Sequence, residues 1–175
     1  MSSAWYFAYG SNMQSATFSG RRGIAFHAAI AGRVGGWRLV FDKPPLIPIG
    51  ESFANIIADR DAEVLGVLYQ IDAADLAHLD ISEGVPIGNY QRITVRATPL
   101  DASAGTARSA FTLASDRRGA DLLPSKRYME LVIAGAIEHG LPEEYVAGLR
   151  AVSARPDSLR AALLRPLIDR AIRRR

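Results

Sequence analysis

The residues best suited to chemistry near the start of the chain form the run Tyr9-Gly10-Ser11-Asn12, which follows the apolar segment 5–8. The apolar segment has the composition of a buried strand, and the small polar residues after it favour a turn and a short helix over about 12–18. The first backbone N–H groups of a helix have no internal partner, so this corner could bind a carboxylate or stabilise an oxyanion. An ordinary strand-turn-helix corner is the alternative interpretation.

The second candidate is Glu83, in the run Leu79-Asp80-Ile81-Ser82-Glu83-Gly84, where a predicted helix ends. The C-terminal end of a helix favours cations, so an acid is poorly placed there. A carboxylate in an unfavourable position can be retained for proton transfer as a general acid or base. A solvated surface glutamate is the alternative, and His78 is the next candidate base.

The elements that must position these residues are short strands followed by helices. Gly35-Gly36 separates two of the strands, the polar link 59–63 predicts an antiparallel hairpin, and the proline-rich segment 42–50 predicts a loop. This order favours an α+β fold with an antiparallel or mixed sheet that can close into a small barrel. We predict strands over 5–9, 26–31, 37–41, 53–58, 64–71, 90–98 and 108–114, and helices over 72–84, 125–138, 142–152 and 157–172.

Composition excludes several classes of function. The chain has no cysteine, which excludes disulfides and thiol catalysis and is typical of a cytoplasmic protein. No phosphate-binding loop, dinucleotide motif or metal-ligand spacing occurs, so we expect neither a cofactor nor a metal. No apolar run is long enough for a transmembrane helix, so we expect no membrane partner.

The net charge of +3 is unevenly distributed. Residues 155–175 contain seven arginines and two aspartates, whereas residues 1–154 contain 14 basic and 16 acidic side chains. The body of the chain is therefore not predicted to bind nucleic acid. We divide the chain into a domain over 1–154 and a basic helical extension over 155–175 packed on that domain.

The motifs together resemble the gamma-glutamylcyclotransferase-like family. The resemblance spans about residues 5–152, with its motifs in the same order and at similar spacing. It rests on Tyr9-Gly10-Ser11-Asn12, Val64-Leu65-Gly66-Val67, Leu79-Asp80-x-x-Glu83-Gly84, Tyr90 and Gly140-Leu141-Pro142-x-Glu144-Tyr145. Each motif alone is weak, but several in register make a specific signal.

The resemblance implies a small six-stranded mixed β-barrel with packed helices. It also implies an intramolecular acyl transfer, in which the α-amine of a gamma-glutamyl group attacks its own γ-carbonyl. The products are 5-oxoproline and a free amine or amino acid, and no cofactor is needed. By the same resemblance Glu83 is the general acid/base, the Tyr9-Gly10-Ser11-Asn12 turn holds the glutamyl group, and Tyr90 and Tyr128 line the site.

The chain departs from the family pattern at Phe111, where relatives often carry a tyrosine. The tyrosine hydroxyl is missing here, which calls into question one contact to the substrate. The loop 42–50 could recognise the leaving group. The substrate could instead be a gamma-glutamylamine or a gamma-glutamyl group on a carrier, and a non-catalytic binding domain of the same fold is a further alternative.

The C-terminal extension carries an apolar stripe and a cluster of arginines. Leu159, Leu163, Leu167 and Ile168 mark one helix face, which we expect to pack on the body or, in a homodimer, on a second subunit. The terminal arginines 173–175 are expected to remain solvated.

Overall fold

The computed structural model describes residues 2–46 and 50–172. Five strands and four α-helices lie in this part of the chain, joined by short turns. The strands are β1 (Ser3–Ala8), β2 (Ala28–Lys43), β3 (Phe53–Asp72), β4 (Gln91–Pro99) and β5 (Arg108–Ala114), and the helices are α1 (Leu76–Glu83), α2 (Lys126–Glu138), α3 (Glu143–Arg150) and α4 (Leu159–Ile172).

The strands form a closed barrel in the order β1-β3-β2-β4-β5. β1 pairs with β5 in parallel and closes the barrel, whereas the other pairs are antiparallel. The prediction of an α+β fold with a small mixed barrel is confirmed. The expected number of six strands is wrong, because the described residues contain five.

The sequence pattern predicts seven strands in place of five because it divides two long strands, β2 and β3. Gly35-Gly36 does not end β2; Gly36 adopts φ +82° at a shift of register, and the strand continues. The segment 59–63 is not a hairpin link, because β3 runs through it and the residues on both sides of it pair with β2. Most of this segment faces solvent, so its polarity reflects exposure and not a turn.

Alternation along the strands builds two separate cores, because successive side chains point to opposite faces of a sheet. One face of β1 contributes Phe7 and Tyr9 to a cluster inside the barrel with Leu68 and Val95. The other face contributes Tyr6 and Ala8 to a cluster between barrel and helices. That second cluster includes Met129 and Val132 of α2 and Val146 and Leu149 of α3.

The C-terminal helix α4 contacts the body at few points. Ala161 is buried, and Asp169 accepts a hydrogen bond of 2.5 Å from Arg21. Leu159, Leu163 and Leu167 are 85, 77 and 67% exposed, so these three leucines do not pack on the body, and their cover by a second subunit stays a prediction. The arginines 173–175 lie outside the described residues. Within the described ranges, no helix has the length and apolar character needed to cross a membrane.

Close packing at Gly66 makes β3 sensitive to a single methyl group. A Cβ at Gly66 would lie 2.2 Å from the carbonyl oxygen of Ala8 and 2.9 Å from the ring of Phe7. We predict that Gly66→Ala lowers the free energy of unfolding by at least about 3 kcal/mol in urea unfolding, at the upper end of overpacking costs.

The matched control is Gly35→Ala in β2, where no atom lies within 4 Å of the added Cβ. This variant should stay within about 1 kcal/mol of wild type, with any change in the stabilising direction. Equal costs at the two positions would contradict the packing argument.

Candidate functional site

The turn after β1 is held between the barrel and helix α2. It consists of a 3₁₀ turn over Ser11–Met13 and a π-helical segment over Ala16–Arg21, so the single short helix expected over 12–18 is wrong. The hydroxyl of Tyr69 donates to the carbonyl of Met13 at 2.6 Å. Gly135 of α2 packs so closely that a Cβ there would lie 2.5 Å from the nitrogen of Gln14. The turn is therefore fixed from both sides.

Glu83 is the last residue of α1, as predicted. Gly84 ends the helix in the left-handed conformation with φ +71°, which glycine adopts without steric cost. The side-chain amide of Asn89 donates to the carbonyl of Glu83 at 2.8 Å. These backbone contacts fix the end of the helix from which the carboxylate projects.

The Glu83 carboxylate, Asn12 and Arg22 form one hydrogen-bonded network. Oε1 of Glu83 accepts from Nδ2 of Asn12 at 2.7 Å and lies 2.8 Å from a guanidinium nitrogen of Arg22. Nε of Arg22 also donates to Oδ1 of Asn12 at 2.7 Å. The side chains of Arg22 and Glu83 are only 8 and 12% exposed, so their charges compensate each other largely out of water.

The second oxygen of the Glu83 carboxylate is differently placed. Oε2 accepts no hydrogen bond from any residue in 2–46 or 50–172, and this atom is not completely buried. One oxygen of the carboxylate is thus fixed by Arg22 and Asn12, and the other has no hydrogen-bond donor within the described ranges.

Arg22 is a residue that the sequence analysis missed. Its guanidinium also donates to Oγ of Ser82 at 3.0 Å, and its carbonyl lies 2.7 Å from Nε2 of His78. His78 therefore supports the backbone of Arg22, and it does not line the cavity described below. The unfavourable position of Glu83 at a helix end indicates that a cation is needed, but no spacing rule selects Arg22 over its neighbour Arg21.

All the residues predicted to form the site line one cavity of about 380 Å³, a volume typical of small-molecule sites. Four come from the end of β1 and the turn after it, one from α1, one from the position directly before β4 and one from α2. They are Tyr9, Gly10, Ser11, Asn12, Glu83, Tyr90 and Tyr128. The structure thus brings together the seven residues that the sequence analysis assigned to the site, whereas His78, the alternative base, lies outside the cavity.

The cavity tyrosines bond to backbone groups. The hydroxyl of Tyr90 donates to the carbonyl of Ala54 at 2.9 Å, and the hydroxyl of Tyr128 accepts from the N–H of Ala54 at 3.1 Å. The hydroxyl of Tyr9 donates to the carbonyl of Leu113. Burial raises the pKa of all three hydroxyls, and the charge of Glu83 adds to the effect, so they remain neutral.

Gly10 is constrained by contact and not by an unusual φ. Its φ is −112°, so its backbone does not adopt the left-handed conformation that favours glycine. A Cβ at Gly10 would instead lie 3.0 Å from the hydroxyl of Tyr128 and 3.2 Å from Cβ of Ala54. The absence of a side chain lets the turn approach Tyr128 closely.

Phe111 does not line the cavity, so the lack of a hydroxyl there removes no group from its wall. Its ring lies under the guanidinium of Arg92, with a centroid distance of 5.2 Å. Of the proline-rich loop, Pro45 and Leu46 line the cavity, whereas 47–49 lie outside the described residues.

The mouth of the cavity is apolar. Leu46, Ile81 and Ile87 line it and are 47, 67 and 70% exposed, and Ile168 reaches it from α4. Polar groups lie deeper, around Glu83. Across the described ranges no group of three or more histidine and carboxylate side chains is placed to hold a metal ion.

The fold of this chain is also found in solved structures. A structure named gamma-glutamyl cyclotransferase has a TM-score of 0.78 and 25% identity, covering 97% of this chain and 99% of that one. The model of the AIG2-like family matches residues 63–149.

Sequence relatives assign the family. The gamma-glutamylcyclotransferase of Homo sapiens is 31% identical over 154 residues, 84% of this chain and 77% of the relative. The gamma-glutamyl cyclotransferase aclK of Aspergillus oryzae is 32% identical over 164 residues, 83% of this chain but 60% of the relative. This chain belongs to the gamma-glutamylcyclotransferase-like family, which confirms the resemblance in its motifs.

The Arg22–Glu83 pair makes a direct prediction about stability. Removing one partner of a buried ion pair leaves the other charge uncompensated, so Arg22→Met should lower the free energy of unfolding by about 3–5 kcal/mol. Urea unfolding followed by circular dichroism measures this change.

Arg21→Met is the matched control, because the neighbouring Arg21–Asp169 pair is 30 and 37% exposed. Exposed pairs contribute little, so the control should lose no more than about 1 kcal/mol. A cost at Arg22 as small as that at Arg21 would show that the inner pair is not desolvated.

Proposed function

We propose that this protein is a gamma-glutamyl cyclotransferase in which Glu83 is the general acid/base. The observation that carries the proposal is the arrangement of the Glu83 carboxylate. Asn12, within the turn predicted to hold the glutamyl group, donates to Oε1, and Oε2 is left for a substrate. A base and a binding turn in direct contact favour catalysis over binding alone.

The reaction proceeds within one substrate molecule. Oε2 of Glu83 accepts a proton from the α-ammonium of the glutamyl group, and the freed amine attacks the γ-carbonyl carbon. The new C–N bond closes a five-membered ring and places negative charge on the carbonyl oxygen. As this intermediate collapses, the bond to the leaving nitrogen breaks and that nitrogen takes the proton back from Glu83. The ring nitrogen, positively charged since the attack, gives its second proton to the carboxylate so freed and from there to solvent, and the products are 5-oxoproline and an amine.

Two features of the cavity support this scheme. The N–H groups at the start of the Ser11–Met13 turn and the neutral hydroxyl of Tyr128 are donors suited to the developing oxyanion. Ring closure needs no second reactant, because nucleophile and electrophile are already in one molecule, and orientation alone then lowers the barrier.

The apolar mouth supports a second element of the proposal, an apolar leaving group. The exposed side chains of Ile81 and Ile87 border the cavity that holds Glu83, and burying them against a ligand is favourable. We therefore extend the substrate class to gamma-glutamylamines, beside gamma-glutamyl peptides with an apolar second residue.

A panel assay tests the proposed function. The purified protein is incubated with gamma-glutamyl dipeptides and gamma-glutamylamines whose leaving groups differ in polarity, and release of 5-oxoproline is measured. We expect release from members with apolar leaving groups. Absence of 5-oxoproline with every member would overturn the assignment.

Replacing Glu83 tests the mechanism. Glu83→Gln keeps the size of the side chain but removes the base, so kcat should fall by at least ~100-fold with a much smaller change in KM. Steady-state kinetics measure both constants, and near-UV circular dichroism checks that the variant is folded at the assay temperature.

Asp80→Asn is the matched control on the same helix. Asp80 pairs with Arg92 and does not line the cavity, so its neutralisation should leave kcat within a few-fold of wild type. A Glu83→Gln enzyme as active as the Asp80→Asn enzyme would exclude Glu83 as the base.

A further inference from the structure

The cavity contains a second buried cation besides Arg22, Lys43, which the proposed reaction does not use. The residue is 1% exposed and lines the same cavity as Glu83. In the described part of the chain no carboxylate lies within ion-pair distance of its ammonium group. A buried cation without a counter-charge is costly, which suggests that a ligand supplies the missing anion.

The contacts of Lys43 orient its ammonium group. Nζ donates to the carbonyl of Pro44 at 2.9 Å and to Oδ1 of Asn89, which leaves one of its three donors. The group lies 4.5 Å from the centre of the Tyr90 ring, another wall of the cavity. The ammonium is thus held in place with one donor still to be satisfied.

The surroundings of Lys43 are electropositive. Arg117 donates to the same Oδ1 of Asn89 at 3.2 Å, so two cations share one neutral acceptor. The carboxylate of Glu83, which also lines the cavity, is already compensated by Arg22. The region beside Lys43 therefore favours a negatively charged group over a neutral one.

We propose that Lys43 binds a carboxylate of the substrate. This inference rests on the proposed function for the identity of the substrate, whereas the recognition of a carboxylate follows from the position of Lys43. A gamma-glutamyl substrate has its α-carboxylate on the glutamyl group, and a gamma-glutamyl peptide has a second carboxylate on the leaving amino acid. Both sources present the same chemistry, and the experiment distinguishes them.

The protonation of Lys43 supports this role. Burial and repulsion from Arg117 lower the pKa of Lys43 to about 8, and the attraction of Glu83 opposes this shift. The ring of Tyr90, which is neutral, packs against the ammonium group. The ammonium is charged below that pH and loses its proton above it. Binding of a carboxylate should weaken as pH rises through about 8.

The first test needs no turnover. Glutarate, a dicarboxylate, and its neutral analogue glutaramide are titrated into wild type, Lys43→Met and Lys126→Met while the melting temperature is followed. Lys126, the other lysine of the chain, is exposed and serves as the matched control. We expect glutarate to raise the melting temperature of wild type and Lys126→Met but not of Lys43→Met, and glutaramide to raise none.

Equal stabilisation of Lys43→Met and wild type by glutarate, or none in wild type, would overturn the inference. Without ligand, Lys43→Met should melt at the wild-type temperature or above, because an uncompensated charge is removed. A lower melting temperature with an unchanged response to glutarate would assign Lys43 to structure alone. If Lys43→Met does not fold, the wild-type response to glutarate on either side of pH 8 decides.

The second test identifies the carboxylate, using gamma-glutamylbutylamide and gamma-glutamylleucine as substrates. Lys43→Met should raise KM by roughly 10–100-fold with little change in kcat, as expected for a lost hydrogen bond between charged groups. An increase with both substrates identifies the glutamyl α-carboxylate, and an increase only with gamma-glutamylleucine identifies that of the leaving amino acid. Unchanged KM with both would overturn the inference, whereas inactivity of wild type would contradict only the proposed function.

Discussion

The buried contact between Glu83, Asn12 and Arg22 is the interaction on which the arrangement of the site depends. It joins three parts of the chain that are far apart in sequence: the turn after β1, the end of the π-helical segment and the end of α1. The side-chain amide of Asn12 donates to Tyr6 and Glu83 and accepts from Arg22, so its orientation is fully determined. Each member satisfies the others, and loss of one leaves polar groups buried without partners.

This network also explains how an acid is tolerated at the end of a helix. The partial negative charge at the C-terminus of α1 opposes the Glu83 carboxylate, and the guanidinium of Arg22 lies on the same oxygen and offsets both. The pair lets Glu83 stand at an otherwise unfavourable position with one oxygen fixed. Arg22 thus offsets the cost of this position within the protein. Among the described residues, the charge of Lys43 has no carboxylate partner of this kind.

The sequence predicted the helix end at Gly84 and, through the family resemblance, seven of the residues that line the cavity, because both depend on local motifs. It did not predict Arg22 or Lys43 as cavity residues. Arg22 lies in an unremarkable basic pair, and Lys43 begins a proline-rich segment, so only the closure of the barrel shows that either is buried. Long-range packing, and not local preference, decides the environment of these two charges.

The sequence pattern also failed to predict that β2 and β3 are continuous strands, because local residue types did not distinguish a turn from an exposed or bent stretch of strand. Polar residues over 59–63 are typical of both a turn and an exposed stretch of strand. The segment contains no glycine or proline, which a tight turn would favour, and that signal argued against a hairpin. In β2 the glycine pair marks a bend within a continuous strand, since Gly36 takes a positive φ while pairing resumes at Trp37.

The two buried cations, Arg22 and Lys43, have opposite effects on the stability of the fold. This difference distinguishes a structural charge from one suited to binding a ligand. Arg22 is paired with the carboxylate of Glu83 within the fold, so the buried pair stabilises the arrangement of the site. Lys43 has a pKa of about 8 in the folded chain against an ordinary value of 10.5, so between these values the unfolded chain binds more protons. The cost of burying its charge is therefore present below pH 8 and is relieved as pH rises towards 10.5. A fold that keeps a charged group at such a cost near neutral pH, beside a cavity and with no carboxylate at ion-pair distance among the described residues, has the electrostatics that binding of an anion requires.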